Sequence, residues 1–191
     1  MSSLPKTLLT PEEYLEIERR ADTKSEYYAG EMFAMAGAGA THNQLVWNLI
    51  AQLDRHLRSR GCQGYPSDMR VRVNATGLYV YPDVVVVCGQ PQFLDDRRDT
   101  LLNPTLIVEV LSPSTEAYDR GRKFEHYQSI ESLSEYVLAA SDRVHLDRFL
   151  RQADGQWLLA SASGAEASIE LKSVGCRLAM GDLYDKVELP G

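Results

Sequence analysis

Two acidic residues interrupt the two most apolar segments of the chain. Asp83 precedes four consecutive valines, Val84 to Val87, and Glu109 stands in the middle of the run LIVEVL. Burying an ionised carboxylate in an apolar strand is costly unless a partner compensates its charge. If the two segments are neighbouring strands, the carboxylates can lie side by side, and a cation is then needed between them. The pattern predicts a cation site at Asp83 and Glu109.

The donor types indicate which cation would bind. Oxygen ligands from Asp, Glu, a backbone carbonyl and water suit Mg²⁺ or Mn²⁺, whereas zinc prefers His and Cys. We expect the carbonyl of Val110 to join Asp83 and Glu109 as a metal ligand. Lys123, in the next helical segment, would hold a metal-bound water and stabilise negative charge on a phosphate.

Each of these residues also has a structural explanation. Asp83, which follows Pro82, can be a turn or cap residue. Glu109 can pair with a buried Arg or Lys, and Lys123 can be a solvated helix lysine paired with Asp119 at i, i+4. The coincidence of two isolated acids in the two most apolar segments favours the functional interpretation.

Hydrophobic spacing predicts the helices that would surround these residues. Thr10, Pro11 and Glu13 carry a capping-box signal for a helix over residues 10–20. Helical spacing of leucines predicts a long helix over 41–60 that ends at Gly61. Weaker patterns predict a helix over 116–130 and a short one around 181–186.

Alternating and β-branched runs predict the strands. They are SEYYAGEMFAMA with a turn at Ala29 and Gly30, MRVRVN paired in a hairpin with LYVYPDVVVV, TLIVEVL, EYVLAA and a hairpin that turns at Asp154 and Gly155. We therefore predict an α/β fold, with a mixed sheet flanked by helices and additional β-hairpins. Because independent domains most often contain about 100–150 residues, we expect one domain over residues 1–191.

The charge balance limits how the chain could bind a polyanion. Twenty Lys and Arg against 27 Asp and Glu give a net charge of −7, which argues against nucleic-acid binding by bulk charge alone. Contact with DNA would need a local basic rim or a basic groove formed by a homodimer. The candidates for the rim are Arg70, Arg72, Arg120 and Arg122.

Cysteine usage and hydropathy indicate the compartment. Cys62, Cys88 and Cys176 are odd in number, far apart and not in a CxxC pair, so neither a disulfide framework nor a zinc site is predicted. The first dozen residues turn charged and lack the apolar stretch of a signal peptide. No segment approaches the roughly 20 apolar residues needed to span a bilayer. We expect a cytoplasmic protein that does not bind membranes.

The same residues are similar to a known family. Pro82-Asp83, Glu109 and the longer string IVEVLSPSTEAYDRGRKFEHY, followed by LSEYVL, resemble the Uma two family of restriction endonucleases, within the PD-(D/E)xK nuclease superfamily. The resemblance extends from about the first helix to the strand at Glu135 to Ala140. It implies a restriction-endonuclease-like fold and a Mg²⁺-dependent site that cleaves DNA phosphodiester bonds, with Asp83 and Glu109 as metal ligands.

One position departs from the superfamily pattern. Leu111 stands two residues after Glu109, where the lysine of ExK would be. In families of this kind the following helix can supply the amine, so the role passes to Lys123 in DRGRK. Similar family members have an acid in the GE turn and a histidine that opens the long helix. Glu31 and His42 would therefore border the metal site, and we assign no catalytic role to His42.

Three functions stay open at this point. The first is a metal-dependent endonuclease with Asp83, Glu109 and Lys123 as catalytic residues. The second is a catalytically inactive nuclease-fold module that binds DNA or regulates another process, since a fold does not determine a function. The third is a small acidic enzyme that uses two carboxylates on sugars and needs no metal.

Overall fold

The computed structural model describes residues 8–190. The first seven residues, part of the segment whose charge argues against a signal peptide, lie outside the described residues. The helices are α1 (Pro11–Glu18), α2 (Ala40–Leu57), α3 (Glu116–Tyr118), α4 (Phe124–Gln128) and α5 (Met180–Leu183), with a π-helical turn (Asp119–Lys123) between α3 and α4. The strands are β1 (Ser25–Tyr28), β2 (Glu31–Ala34), β3 (Cys62–Pro66), β4 (Arg70–Val73), β5 (Leu78–Val80), β6 (Val84–Cys88), β7 (Thr100–Leu101), β8 (Leu106–Leu111), β9 (Glu135–Ala140), β10 (His145–Arg151), β11 (Trp157–Ser163), β12 (Ser168–Leu171) and β13 (Cys176–Ala179).

A mixed six-stranded sheet forms the centre of the fold. Its order is β11-β10-β9-β8-β6-β3, and only its β8–β9 pair is parallel. A second sheet has the order β2-β1-β5-β4-β7, and β12 and β13 form a separate hairpin. These sheets, together with the flanking helices, confirm the predicted α/β fold.

The two faces of the central sheet bury two separate apolar cores. Along β6, Val84 and Val86 pack toward α2 and the β12–β13 hairpin. Val85 and Val87 pack toward α4 and the second sheet. Successive side chains of a strand point to opposite faces, so a run of four valines suits a strand that is covered on both sides.

The first helix forms where the capping signal predicts it. The Thr10 side chain accepts a hydrogen bond from the Glu13 amide at 3.2 Å, and the Glu13 carboxylate accepts one from the Thr10 amide at 2.8 Å. Tyr14 stacks on Tyr27 with ring centroids 4.9 Å apart, which packs α1 against β1. The predicted capping box is confirmed.

Pro82 divides a segment that the sequence pattern predicts as one strand. β5 pairs with β4 in the second sheet, as a hairpin partner should, but β6 pairs with β8 and β3 in the central sheet. Proline has no N–H to donate to a strand ladder, so the pairing stops before it. The predicted hairpin is confirmed for Leu78–Val80, whereas its continuation through the four valines is wrong, because they form an inner strand of the central sheet. Asp83 lies at the crossing between the two sheets.

Cys62 and Cys88 form a disulfide, which overturns the prediction that these cysteines are unpaired. They lie directly opposite each other where β3 pairs with β6, although 26 residues separate them along the chain. Local spacing could not reveal this pair because no sequence pattern predicted β3. Cys176 is free and buried. Cysteine usage therefore no longer indicates a reducing compartment, and the cytoplasmic location stays a prediction.

None of the helices within residues 8–190 is both long and apolar enough to cross a bilayer.

Reduction of the disulfide should lower the free energy of unfolding by about 3 kcal/mol, because the link restrains the unfolded chain across 26 residues. Urea denaturation with and without dithiothreitol measures this difference. The double variant Cys62→Ala, Cys88→Ala is the control, and its unfolding midpoint should not respond to the reductant. Equal wild-type midpoints in the two buffers, with thiol titration showing complete reduction, would contradict the prediction.

Candidate active site

Asp83 is fixed by contacts with two other elements. His42 Nε2, in the first turn of α2, lies 2.9 Å from Asp83 Oδ1. The backbone N–H of Val110 in β8 donates to Asp83 Oδ2 at 2.7 Å. The side chain of Asp83 is 15% exposed, so it is reachable from solvent. These contacts place its carboxylate beside the residue that follows Glu109.

Glu109 is buried in the central sheet. It lies on the same face as Leu111, toward α4 and the second sheet, and is 4% exposed. Its Oε1 accepts a hydrogen bond from the Tyr127 hydroxyl at 2.9 Å and lies 2.9 Å from Lys123 Nζ. The helix that covers this face therefore supplies a phenol and an ammonium to one carboxylate oxygen.

Lys123 is buried and surrounded by carboxylates. It is 5% exposed, which excludes a solvated helix lysine. Besides Glu109, its Nζ lies 3.4 Å from Glu26 Oε1 and 3.5 Å from Asp119 Oδ1. The i, i+4 pair with Asp119 does exist, but as one of three contacts within the protein interior.

The π-helical turn that carries Lys123 is anchored to the strands beneath it. The Tyr136 hydroxyl in β9 donates to the backbone carbonyl of Asp119 at 3.1 Å. Arg120 Nη1 donates to Asp147 Oδ2 in β10 at 2.6 Å. π-helical turns are rare and are frequent at functional sites. Here the turn holds Asp119 and Lys123 against the sheet.

Glu26 reaches Lys123 from the β1–β2 hairpin. The hairpin turns at Ala29 and Gly30, both with positive φ (49° and 87°), a combination that matches the twist of paired strands. Pairing of Glu26 with Phe33 fixes its register. A Cβ at Gly30 would come within 2.6 Å of the Leu8 Cβ, so only glycine fits there.

Acidic groups outnumber basic ones at this site. Burial raises the pKa of Glu109 to about 8; nearby Lys123 opposes the shift, while Asp119 and Asp83 add to it. Burial alone would lower the pKa of Lys123, but Glu109, Glu26 and Asp119 outweigh it and hold that pKa well above its ordinary value. Lys123 therefore stays charged, and the remaining negative charge makes the site receptive to a further cation.

The structure brings together the three residues predicted to be catalytic. Val110 also lies there, although its observed contact uses the amide, and its carbonyl as a metal ligand stays a prediction. His42 borders the site, as expected, through Asp83. Glu31 opens β2 opposite Tyr28, and its predicted place beside the metal stays a prediction.

The donor chemistry suits a hard divalent cation that keeps much of its water. Within residues 8–190 no group of three or more His, Cys, Asp and Glu side chains is arranged to hold a metal ion. Mg²⁺ is usually bound through one or two carboxylates plus water and substrate phosphates, without a complete protein cage. The carboxylates of Asp83 and Glu109 fit that mode of binding.

Sequence reasoning missed part of the cluster. Tyr127 was expected to pack in the core, and it does, but its hydroxyl also binds Glu109. Asp119 was considered only as a surface partner of Lys123. Glu26 was overlooked because it follows Lys24 and Ser25 and does not interrupt an apolar run, which was the signal that identified Asp83 and Glu109.

The predicted basic rim is largely absent. Arg70 is 2% exposed and pairs with Asp99 at 3.2 Å, so its assignment to a surface rim was wrong. Arg120 pairs with two carboxylates, and Arg72 lies over the Tyr79 ring. Arg122 is exposed, which leaves it as the candidate among the four for contact with a polyanion.

Replacing Glu109 should change how stability depends on pH. Between about pH 4.5 and about 8, native Glu109 holds a proton that the unfolded chain has lost, so its contribution to stability falls as pH rises. Relative to Glu109→Gln, the wild-type free energy of unfolding should decrease by up to about 1.4 kcal/mol per pH unit. Urea denaturation at a series of pH values, with EDTA present, measures both curves. Glu16→Gln, at an exposed helix position, should keep the wild-type dependence, and parallel wild-type and Glu109→Gln curves would refute the prediction.

Comparisons with known proteins agree with the resemblance read from the sequence. The sequence profile of the Uma2 family, described as "Putative restriction endonuclease", matches residues 11–181. A Synechocystis sp. protein named "Uncharacterized protein sll1609" is 39% identical over 163 residues, which cover 85% of this chain and 92% of that protein. A second, "Uncharacterized protein slr1290", is 39% identical over 184 residues, 95% of this chain and 94% of the relative.

A solved structure shares the fold. The crystal structure of "a putative nuclease belonging to DUF820" from Anabaena variabilis has a TM-score of 0.75 and covers 94% of this chain and 99% of its own. Its sequence identity is 14%, so this likeness bears on the fold alone. Because the family profile spans most of the residues and both Synechocystis relatives are similar over nearly their whole length, this chain belongs to the Uma2 family.

Proposed function

We propose that the chain is a Mg²⁺- or Mn²⁺-dependent endonuclease that hydrolyses DNA phosphodiester bonds, with Asp83, Glu109 and Lys123 as catalytic residues. The observation that carries this proposal is the buried ammonium of Lys123, 2.9 Å from Glu109, beside a carboxylate held by the adjacent Val110 amide. The family description supports it.

Asp83 and Glu109 would hold the metal ion, with the Val110 carbonyl as a further protein ligand, and binding of the ion would displace the proton that Glu109 carries below about pH 8. The ion, when bound, supplies Lewis-acid polarisation of a phosphate oxygen and a coordinated water of lowered pKa. Tyr127 donates to Glu109 Oε1, and His42 lies against Asp83 Oδ1. These two neighbours restrict the rotation of the carboxylates, so they are positioning residues.

Lys123 would act as a donor and not as a base. Its pKa lies well above the ordinary lysine value because three carboxylates outweigh its burial, so it is protonated at neutral pH. A charged amine in a dry site stabilises negative charge that develops on a phosphate oxygen or on the attacking hydroxide. Glu109 and Leu111 point to the same side of β8. A motif lysine at position 111 would lie on that side of the sheet, and the helix that covers it can supply the amine of Lys123 there instead.

The start of α2 offers a second contact for a phosphate. Its N-cap, Gly39, provides no side-chain hydrogen bond, so the amides of the first turn are open to an external acceptor. His42 lies in this same turn and touches Asp83. An anion at a helix N-terminus is favoured by these amides and by the helix dipole.

Net charge bears on how DNA would be held. One copy carries −7, and Arg70 and Arg120 are engaged in internal ion pairs. Neutralising phosphates with Lys and Arg is the usual source of affinity for DNA. We therefore propose a homodimer, in which exposed basic residues such as Arg122 from two copies contribute to one groove.

An inactive nuclease-fold module that binds DNA or regulates another process is the second candidate. It is favoured by the engagement of Lys123 with three carboxylates and by Leu111 in place of the motif lysine. In that case the buried cluster would serve the stability of the fold alone.

Cleavage of supercoiled and branched DNA with Mg²⁺ or Mn²⁺ tests the proposal. Asp83→Asn and Lys123→Met should each lower the rate at least about 100-fold, since each removes a group that stabilises the transition state or holds the metal. EDTA should abolish cleavage. Circular dichroism checks that each variant is folded, because loss of Lys123 leaves buried carboxylates without their cation.

Matched surface variants distinguish this site from contamination. Asp154→Asn, in the β10–β11 turn, and exposed Lys172→Met change the same residue types and should keep wild-type activity. Equal residual activity in all variants, with DNA binding retained, would refute the nuclease and support the inactive module. Hydrolysis that survives EDTA would instead support metal-free use of the two carboxylates.

A further inference from the structure

The sheets of this chain end in edge strands of very different character. β3, at one edge of the central sheet, contains Gly64 and Pro66 and is linked to β6 by the disulfide. β7 has two residues, and β2 has four and begins with a charge at Glu31. Short strands, proline and charge are the devices that prevent an edge from pairing with another chain.

β11 has none of these devices. Its seven residues, WLLASAS, contain no charge, proline or glycine, and each pairs with a residue of β10 in an unbroken antiparallel register. Within residues 8–190 no strand pairs with its outer edge. Leu158 and Leu159 point to opposite faces of the sheet and are 53% and 52% exposed. The strand combines unpaired backbone groups with apolar side chains on both sides.

We propose that β11 is the surface through which two copies of this chain associate, by antiparallel pairing of one β11 with its counterpart about a two-fold axis. This deepens the homodimer of the proposed function by naming its interface. The central sheets of the two copies would then continue into each other. Backbone hydrogen bonds would give affinity, and Leu158 and Leu159 of each copy would pack against the paired strand, one on each face.

A second copy is the occupant that matches this strand best. Each copy carries a net charge of −7, so two copies repel unless they meet along a neutral strip, and β11 supplies seven uncharged residues. A two-fold axis at Ala160 also places the seven uncharged residues of one β11 opposite those of the other.

Sedimentation equilibrium of the full chain over a range of concentrations tests the proposal. Wild type should have twice the 21.4 kDa mass of the chain. The double variant Leu158→Lys, Leu159→Lys puts a charge on each face of the edge strand in place of an apolar side chain and should raise the dimer dissociation constant at least about tenfold. Trp47→Lys is the matched control, because Trp47 on α2 is 69% exposed, and this variant should dimerise as wild type does.

Hydrogen exchange gives a readout that needs no variant. Backbone amides of residues 157–163 should exchange faster when wild type is diluted below its dissociation constant, while those of β3 should not respond. A wild type that is monomeric at every concentration would overturn the proposal. So would a dimer that the leucine variant leaves intact, or one without concentration-dependent protection in β11. None of these measurements depends on nuclease activity, so failure here is distinguishable from failure of the proposed catalysis.

Discussion

A buried ammonium ion organises the centre of this molecule. Lys123 contacts carboxylates from the central sheet, from the β1–β2 hairpin and from its own π-helical turn. Removing an ammonium from water costs several kcal/mol, and the cost is offset only where partners are close and well placed. The three elements must therefore meet correctly before the interior is stable. The same contact that holds the fold together also assembles the candidate active site.

Acidic side chains outnumber basic ones around Lys123, unlike in an ordinary buried ion pair. Glu109, Glu26, Asp119 and nearby Asp83 outnumber the single lysine. Burial is the main cause of the raised pKa of Glu109, and Asp119 and Asp83 add to the shift. In a structural ion pair, packing and hydrogen bonds would compensate each charge in full. A residual negative charge at a partly open site is instead typical of proteins in which a cation or a reacting group completes the arrangement.

The sequence predicted what depends on local pattern. Isolated acids in apolar strands identified Asp83 and Glu109, and the family resemblance identified Lys123 when the expected position held Leu111. The capping signal at Thr10 identified the first helix. Each of these signals rests on chemistry within a few residues, such as the cost of burying a carboxylate or the need of a helix end for an acceptor.

Local sequence patterns could not predict which distant segments of the chain pair with each other. The disulfide joins cysteines that are neighbours only because β3 pairs with β6. Glu26 enters the site because the β1–β2 hairpin is folded over the helix that carries Lys123. The apparent strand is divided at Pro82 because its first half, β5, pairs with β4 in the second sheet, and its second half, β6, pairs with β8 in the central sheet. None of these pairings has a signature at short separation, so spacing rules could not find them.

The geometry of the site depends on the number of residues in the π-helical turn. A turn of this kind contains one residue more than an α-helical turn, whose side chains are about 100° apart around the axis. Deleting a single residue between Asp119 and Lys123 would let ordinary helix geometry return and would change the spacing of these two side chains from i, i+4 to i, i+3. An insertion would lengthen that spacing instead. A homologue that differs here in length by one residue therefore has a different spacing between these two side chains, however well its other residues align.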